Sequence, residues 1–360
     1  MSILATSLAL TLATAPAVAA GGAAPRVEVA FVLDTTGSMG GLIEGAKRRI
    51  WSIARRIGEG RPRPDLRLAL VAYRDRGDAY VTDVHDLTGD MDAVYRGLMS
   101  FRADGGGDGP EHVSAALHDA VHRVSWSQGP GLKVIFLVGD APPHVDYQDG
   151  FDYRRHAREA AARGIVVETI QCGGDPDTAA AWREIASLAT GHYAQIDAQG
   201  GMPVRVTPVD EELARLNGEL SGTVVAGGTA REQASEATRL AARKAMPAPM
   251  AAEAASYYAG AGRLADKDLV DLPEAEQKKK LDALRADGAA PPVLQGKTNA
   301  QAVEYLRAQK GKREELQAKI RELQARRDAY LAADASAKDG FDEQVVSALR
   351  ERAAAVGVRF

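Results

Sequence analysis

A single cysteine, Cys172, stands in the 360-residue chain, which excludes an internal disulfide framework and a thiolate metal cluster. It follows the apolar stretch Ile165-Val166-Val167-Glu168-Thr169-Ile170-Gln171 at a strand end, where a small packed residue is expected rather than a reactive thiol. Aromatic residues are scarce at 5%, too few for a platform that stacks single-stranded nucleic acid. The formal net charge of -4 offers no general attraction for a polyanion, so no nucleic-acid partner is expected. Beyond the first twenty residues nothing approaches the roughly 18 to 20 uninterrupted apolar residues of a membrane span. Neither a GxSxG elbow nor a Gly-rich phosphate loop with its Lys occurs, and no nucleophile-base-orienter set presents itself.

What the chain does have is oxygen side chains at alternate positions. In Phe31-Val32-Leu33-Asp34-Thr35-Thr36-Gly37-Ser38-Met39, Asp34, Thr36 and Ser38 follow an apolar run and precede an amphipathic segment from Leu42 to Ile57. The run from Val27 to Leu33 predicts a buried strand and the segment a helix, so the oxygens lie at a strand-to-helix turn. In an open α/β sheet such turns line the carboxyl edge, where ligands bind. One carboxylate and two hydroxyls suit Mg²⁺ or Mn²⁺, which take oxygen ligands in near-octahedral geometry. Gly37 allows the tight turn. The plain alternative is a helix N-cap, since Asp, Thr and Ser are preferred there. A second strand-end carboxylate, Asp140, follows Lys133-Val134-Ile135-Phe136-Leu137-Val138-Gly139 and favours the metal reading.

These residues resemble the DxSxS signature of von Willebrand factor type A domains, with Thr36 for the first Ser, and Asp140 is similar to that family's late metal-site aspartate. Two further segments support the resemblance over about residues 26 to 200: Leu66 to Asp75, and Ala189-Thr190-Gly191-His192-Tyr193. It implies a metal-ion-dependent adhesion site, in which hydroxyls bind the metal directly, aspartates act directly or through water, and an open position takes an acidic group from a partner protein. The family's middle ligand is a Thr in a Gly-rich loop, and here that loop reads Gly105-Gly106-Gly107-Asp108-Gly109-Pro110-Glu111, without Thr or Ser. Asp108 is the first candidate to replace it and Glu111 the second; alternatively Glu111 only favours the positive end of the next helix, with Pro110 at its start. The expected metal set is therefore Asp34, Thr36, Ser38, Asp108 and Asp140, with no catalytic residue. A carboxylate in the middle position adds negative charge beside the metal, which predicts tighter ion retention and weaker capture of acidic partners.

The predicted fold is α/β: a Rossmann-like, mostly parallel sheet with helices on both faces and one antiparallel edge strand near 80 to 84, then an α-helical C-terminal region. Residues 1–19 are expected to be a secretory signal peptide, with Ala17-Val18-Ala19 before the cut, which implies export to the periplasm or beyond. The α/β domain is expected over 26–205. Residues 206–360, rich in Ala, Glu, Lys, Arg and Gln, are expected to be helical, partly disordered or coiled-coil, with helices near 209–220, 228–245, 262–287, 298–332 and 341–356. Leu316, Ile320, Leu323 and Tyr330 space a seam that Arg327 interrupts, so this half reads as a spacer or assembly element, either pairing copies into a homo-oligomer as a coiled coil or folding on itself as an internal helical hairpin. The resemblance implies that the helix at 209–220 closes the domain and moves when the metal engages its ligand.

Two other motifs carry less weight. His118-Asp119-Ala120-Val121-His122 resembles an HExxH zinc motif, but its histidines flank a core stripe of Val113, Ala116, Leu117, Ala120, Val121 and Val124, and zinc needs a third ligand. Arg76-Gly77-Asp78 reads as a turn. Should the chain instead be a metal-dependent hydrolase, His144 and Asp146 are the nearest candidate bases in sequence. A third reading makes the metal only a staple for the loops.

Overall fold

A computed structural model describes residues 24–107, 109–201, 205–260, 263–333 and 340–359. The leader expected over 1–19 and the candidate ligand Asp108 lie outside the described residues. Six strands form one sheet: β1 (Arg26–Asp34), β2 (Asp65–Tyr73), β3 (Thr82–Thr88), β4 (Leu132–Gly139), β5 (Val166–Cys172) and β6 (Tyr193–Ile196). Their order is β3-β2-β1-β4-β5-β6, with every neighbouring pair parallel except β2 and β3. The antiparallel edge strand is thus present, a few residues longer than its apolar pattern suggested.

β1 lies at the centre because both of its faces are apolar. Val27, Val29, Phe31 and Leu33 enter one core and Ala30 and Val32 the other, the period-two alternation of a strand covered on both sides. The chain leaves β1 toward β2 and later returns to β4 on β1's other flank, so the loops after β1 and β4 diverge and leave a crevice at the carboxyl edge. On one face lie α1 (Gly40–Gly58) and α2 (Met91–Ser100); on the other, α3 (Val113–His122), α4 (Tyr153–Ala162) and α5 (Pro176–Leu188). Cys172 is buried at the end of β5, and burial pushes its thiol well above the usual range, in keeping with a packing role.

The remaining helices are α6 (Asp210–Ser221), α7 (Ala230–Lys244), α8 (Ala248–Gly260), α9 (Glu274–Ala286), α10 (Asn299–Ala332) and α11 (Phe341–Ala353). Expectations of two kinds are corrected here, the first about helix bounds. No helix was expected between 245 and 262, yet the Met246-Pro247-Ala248-Pro249 stretch both parts α7 from α8 and opens α8, because proline is tolerated in a first helical turn, where N–H groups have no partner inside the helix. α8 is Ala-rich and buried from Ala251 to Ala259, so it carries no amphipathic period to read. The helix expected over 262–287 is only α9, preceded by a turn around Asp268.

The second correction concerns how the domain closes. The helix at 209–220 exists as α6, but it packs on α8 and α10 rather than on the sheet. α11 covers the sheet instead: Phe341, Val345 and Leu349 join the β1 core, and the Phe341 ring lies 5.9 Å from that of Phe31. The helical excursion leaves and returns at one place, since the Phe341 amide donates to the Gly200 carbonyl at 3.2 Å. α1 is consequently buried on two sides, with Trp51 against Tyr95, Tyr257 and Tyr258 at ring distances of 5.9, 5.7 and 5.4 Å.

Within the excursion, Leu316, Ile320 and Leu323 are buried inside this chain, so the seam on α10 serves internal packing. Arg327, which breaks the apolar spacing, is 3% exposed and donates to Asp210 at 2.7 Å and to Glu253 at 2.5 Å, joining α10 to α6 and α8. Arg243 does the same between α7 and α2, gripping Asp92 at 2.9 and 2.8 Å. Removing such an arginine strands buried carboxylates, so Arg327→Ala should lower stability by about 3–5 kcal/mol. Urea unfolding of the variant beside the parent measures it; a loss below about 1 kcal/mol would show that solvent reaches the pair.

Candidate metal centre

β1 ends at Asp34, and the next residues turn in a single 3-10 turn, Gly37–Met39, into α1. The Asp34 carboxylate accepts from the Thr36 amide at 2.9 Å and from the Thr36 hydroxyl at 2.6 Å, both on Oδ1. Thr36 Oγ1 lies 3.4 Å from Ser38 Oγ. Neighbouring ligands of an octahedral ion with bonds of ~2.0–2.1 Å stand about 3 Å apart, so this pair is close to the span required.

The Gly-rich loop is clamped over this turn. Its backbone bonds run from Gly37 N to Gly105 O at 3.2 Å and from Asp104 N to Thr35 O at 3.1 Å, and Asp78 accepts from the Gly106 amide at 3.2 Å. Gly105 and Gly106 both adopt positive φ, 80° and 79°. A Cβ on Gly106 would lie 3.2 Å from Thr36 Cβ and 3.3 Å from Glu111 Oε1, so the glycine is what brings Glu111 and Thr36 to one place. Glu111 is held there through its backbone, with its amide donating to Pro142 O at 2.9 Å and its carbonyl accepting from His144 N at 3.1 Å. Asp140, at the end of β4, is fixed by its carbonyl, which accepts from the Thr178 hydroxyl at 3.1 Å.

Asp34 is fully buried and Glu111 is 3% exposed, yet Asp34 Oδ2 and Glu111 Oε2 have no hydrogen-bond partner. Burial pushes the Asp34 carboxyl up to about 7, against the hydrogen bonds from Thr36, with the Asp140 charge adding to the rise and the Arg74 cation opposing it. Burial likewise pushes Glu111 up to about 9, reinforced by Asp34, Asp75, Asp78 and Asp140. Buried acceptors of this kind are expensive unless paired. A small divalent cation is a partner that such a donor set fits: hard oxygens, like charges in excess, and two buried carboxylate oxygens without a hydrogen-bond partner.

Of the residues singled out in the sequence, the structure brings Asp34, Thr36, Ser38, Asp140 and the second-choice Glu111 to this edge. Tyr73, Arg74, Asp75 and Asp78 also frame it and were not foreseen. Their signal was the end of β2, which pairs with β1 so that Tyr73 sits level with Asp34. Arg76-Gly77-Asp78 is a turn, with φ 91° at Gly77 and Arg76 stacked 4.0 Å from the Tyr147 ring centroid. His144 faces carboxylates on both nitrogens, Asp146 at 2.8 Å and Asp75 at 3.4 Å, and stacks on Tyr147 at 4.0 Å.

Residues 28–198 match the von Willebrand factor A domain family. They form a von Willebrand factor A domain. The vWA domain is 38% identical over 122 residues to "von Willebrand factor A domain-containing protein 7" of Rattus norvegicus, a match that covers 33% of this chain and 12% of the relative. It is 31% identical over 176 residues to "Hemicentin-2" of Mus musculus, covering 48% of this chain and 3% of the relative. The chain thus spans a small fraction of the curated relatives it matches. Among solved structures it is similar to an aerotolerance-related membrane protein from Bacteroides fragilis (19% identity, TM-score 0.34, 49% of this chain and 96% of that one). It is also similar to proximal thread matrix protein 1 from the mussel byssus with a zinc-occupied MIDAS motif (15% identity, TM-score 0.38, 49% and 42%). Among the described residues no helix is long and apolar enough to cross a membrane.

Proposed function

We propose that this protein is a divalent-metal-dependent binding module, adhesive or scaffolding, in which Asp34, Thr36, Ser38, Glu111 and Asp140 hold Mg²⁺ or Mn²⁺, directly or through water. The observation that carries the reading is the pair of buried, unpartnered oxygens, Asp34 Oδ2 and Glu111 Oε2, beside two hydroxyls at ligand spacing. When bound, the ion would offer an open position to an acidic side chain or terminus of another protein. Glu111 takes the role first expected of Asp108, with Asp108 the alternative. Its charge brings the protein's own carboxylates to three and lowers the ion's demand for an external anion. A binding role is favoured over hydrolysis because His144, the nearest base in sequence, is already held between Asp75 and Asp146.

Calorimetric titration of Mg²⁺ and Mn²⁺ into chelator-stripped full-length protein should give one equivalent, abolished in an Asp34→Ala, Asp140→Ala variant. Uptake that survives in that variant, or none by a folded parent, would remove this site from consideration. Glu111→Thr should weaken Mg²⁺ binding at least tenfold, or about 1.4 kcal/mol, while raising the affinity of the Mg²⁺-loaded protein for an acidic peptide. Unchanged Mg²⁺ affinity would return the middle position to Asp108.

A further inference from the structure

The HDAVH segment of α3 lacked a third ligand in sequence, and α4 supplies it. His118 and His122 lie one turn apart on α3, and His156 and Glu159 lie one turn apart on the adjoining α4. The three imidazoles form a triangle with ring centroids 4.9, 5.0 and 6.0 Å apart. His122 Nε2 and His156 Nδ1 both aim at a single oxygen, Glu159 Oε2, at 2.8 and 2.9 Å. One ligand atom from each of His122, His156 and Glu159 falls within a 4.8 Å group. His118 is oriented from behind: its Nδ1 bonds Asp119 Oδ1 at 3.1 Å, and Asp119 is itself fixed by the Thr82 hydroxyl at 2.6 Å and Arg123 at 2.7 Å. A carboxylate on one ring nitrogen, leaving the other nitrogen as the donor, is the usual support of a metal-binding histidine.

We propose that His118, His122, His156 and Glu159 form a second metal site, between α3 and α4, that takes a transition-metal ion of the Zn²⁺ class. Three imidazoles and one carboxylate suit Zn²⁺, Co²⁺, Ni²⁺ or Cu²⁺ and discriminate against Mg²⁺, the reverse of the all-oxygen centre at Asp34. The two centres lie at opposite ends of α3, a helix of 10 residues and so about 15 Å long. The base of the site is rigid, with the His156 side chain 1% exposed, while His118, His122 and Glu159 are 33%, 36% and 38% exposed and leave a path from solvent. Tetrahedral Zn²⁺ with bonds of ~2.0–2.1 Å places its ligands about 3.3 Å apart. His118, which lies outside the 4.8 Å group, and the partly exposed His122 and Glu159 would have to rotate to reach that spacing. Binding displaces the two N–H···O bonds to Glu159: in a neutral ring the proton moves to the other nitrogen, from Nε2 to Nδ1 in His122 and from Nδ1 to Nε2 in His156, and a charged ring releases it to solvent. The arrangement lacks the free carboxylate of a zinc hydrolase, because Asp119 is engaged with His118, Thr82 and Arg123; the ion would pin α3 to α4.

The test uses tag-free, full-length protein carrying Asp34→Ala and Asp140→Ala, so that the oxygen centre takes no Zn²⁺. Calorimetry with Zn²⁺ alone should give one equivalent, insensitive to excess Mg²⁺, and Co²⁺ should produce the intense visible absorption of a tetrahedral site. His122→Ala, His118→Ala and Glu159→Gln, all at half-exposed positions that leave the core intact, should each weaken Zn²⁺ at least tenfold and bleach the Co²⁺ bands. Zn²⁺ uptake unchanged by His122→Ala and Glu159→Gln would overturn the proposal, as would absence of uptake by protein with a native unfolding transition; the four side chains would then be a hydrogen-bonded cluster only. Should the double background itself unfold, the same variants in the parent chain, saturated with Mg²⁺, distinguish the same two outcomes through the Co²⁺ spectrum.

Discussion

Stripped of divalent metal, the protein will incur a stability penalty at Asp34 and Glu111 that grows as pH rises from about 4 to about 9, and saturating Mg²⁺ will remove it most at the alkaline end. The folded state raises the Asp34 carboxyl from 3.8 to about 7 and that of Glu111 from 4.5 to about 9. Between the unfolded and folded values the native state binds more protons than the unfolded chain, so stability falls with rising pH. The penalty is absent below the unfolded values and complete above the folded ones. For Asp34 alone the shift corresponds to about 4 kcal/mol above pH 7. A bound cation favours both ionised carboxylates and cancels the penalty, in addition to the ~2.7 kcal/mol that any ligand gives at a hundred times its Kd. Thermal unfolding at pH 5, 7 and 9, with chelator or with Mg²⁺, reads this directly. The Asp34→Asn, Glu111→Gln variant isolates the two groups: it should show a flatter pH profile and no response to Mg²⁺. A chelated parent with the same profile as the variant would mean that water, rather than a cation, ordinarily satisfies these oxygens.

That the site was readable at all follows from where its atoms come from. Asp34, Thr36 and Ser38 are local in sequence, and the apolar strand before them announces the turn. Asp140 could be found because β4 carries the same continuous apolar signature as β1, and both strands end at the same sheet edge. Glu111 was ambiguous because it sits in a glycine loop whose path depends on three contacts from elsewhere: the Thr35 carbonyl, the Gly37 amide and the Asp78 carboxylate. No local pattern encodes those. The same reason hid Asp75 and Asp78, which follow β2 and reach the centre only through its pairing with β1. In the helical half, composition located α6, α7, α10 and α11 closely, but said nothing of which surface each would cover. Arg327 looked like a flaw in a seam because its partners, Asp210 and Glu253, lie 117 and 74 residues away.

The largest loss among all these changes is expected from the chain's end. If residues 26–205 were a self-sufficient domain, deleting residues 340–360 would leave its unfolding unchanged; we expect instead that the deletion abolishes cooperative folding. α11 buries Phe341, Val345, Val346, Leu349 and Ala353 against the sheet and α1. At ~1.5–3 kcal/mol for each large apolar side chain, their exposure costs on the order of 10 kcal/mol, comparable to the whole stability of a typical domain. Polar ties add to this: Arg352 donates to Glu168 at 2.9 Å and to the Thr190 carbonyl at 2.8 Å, and Arg61 and Arg359 exchange backbone bonds at 2.8 and 3.0 Å. A single Phe341→Ala change, which removes only the ring against Phe31, should cost about 3–5 kcal/mol. Calorimetric scans of the parent, the point variant and the deletion order the three. A deletion that melts like the parent would show that α11 is a removable cover. Loss of the transition would mean that the sheet carrying the proposed metal centre is closed only by a helix that follows the whole helical excursion, so that any pull on that excursion is delivered to the face of β1, the strand that ends at Asp34.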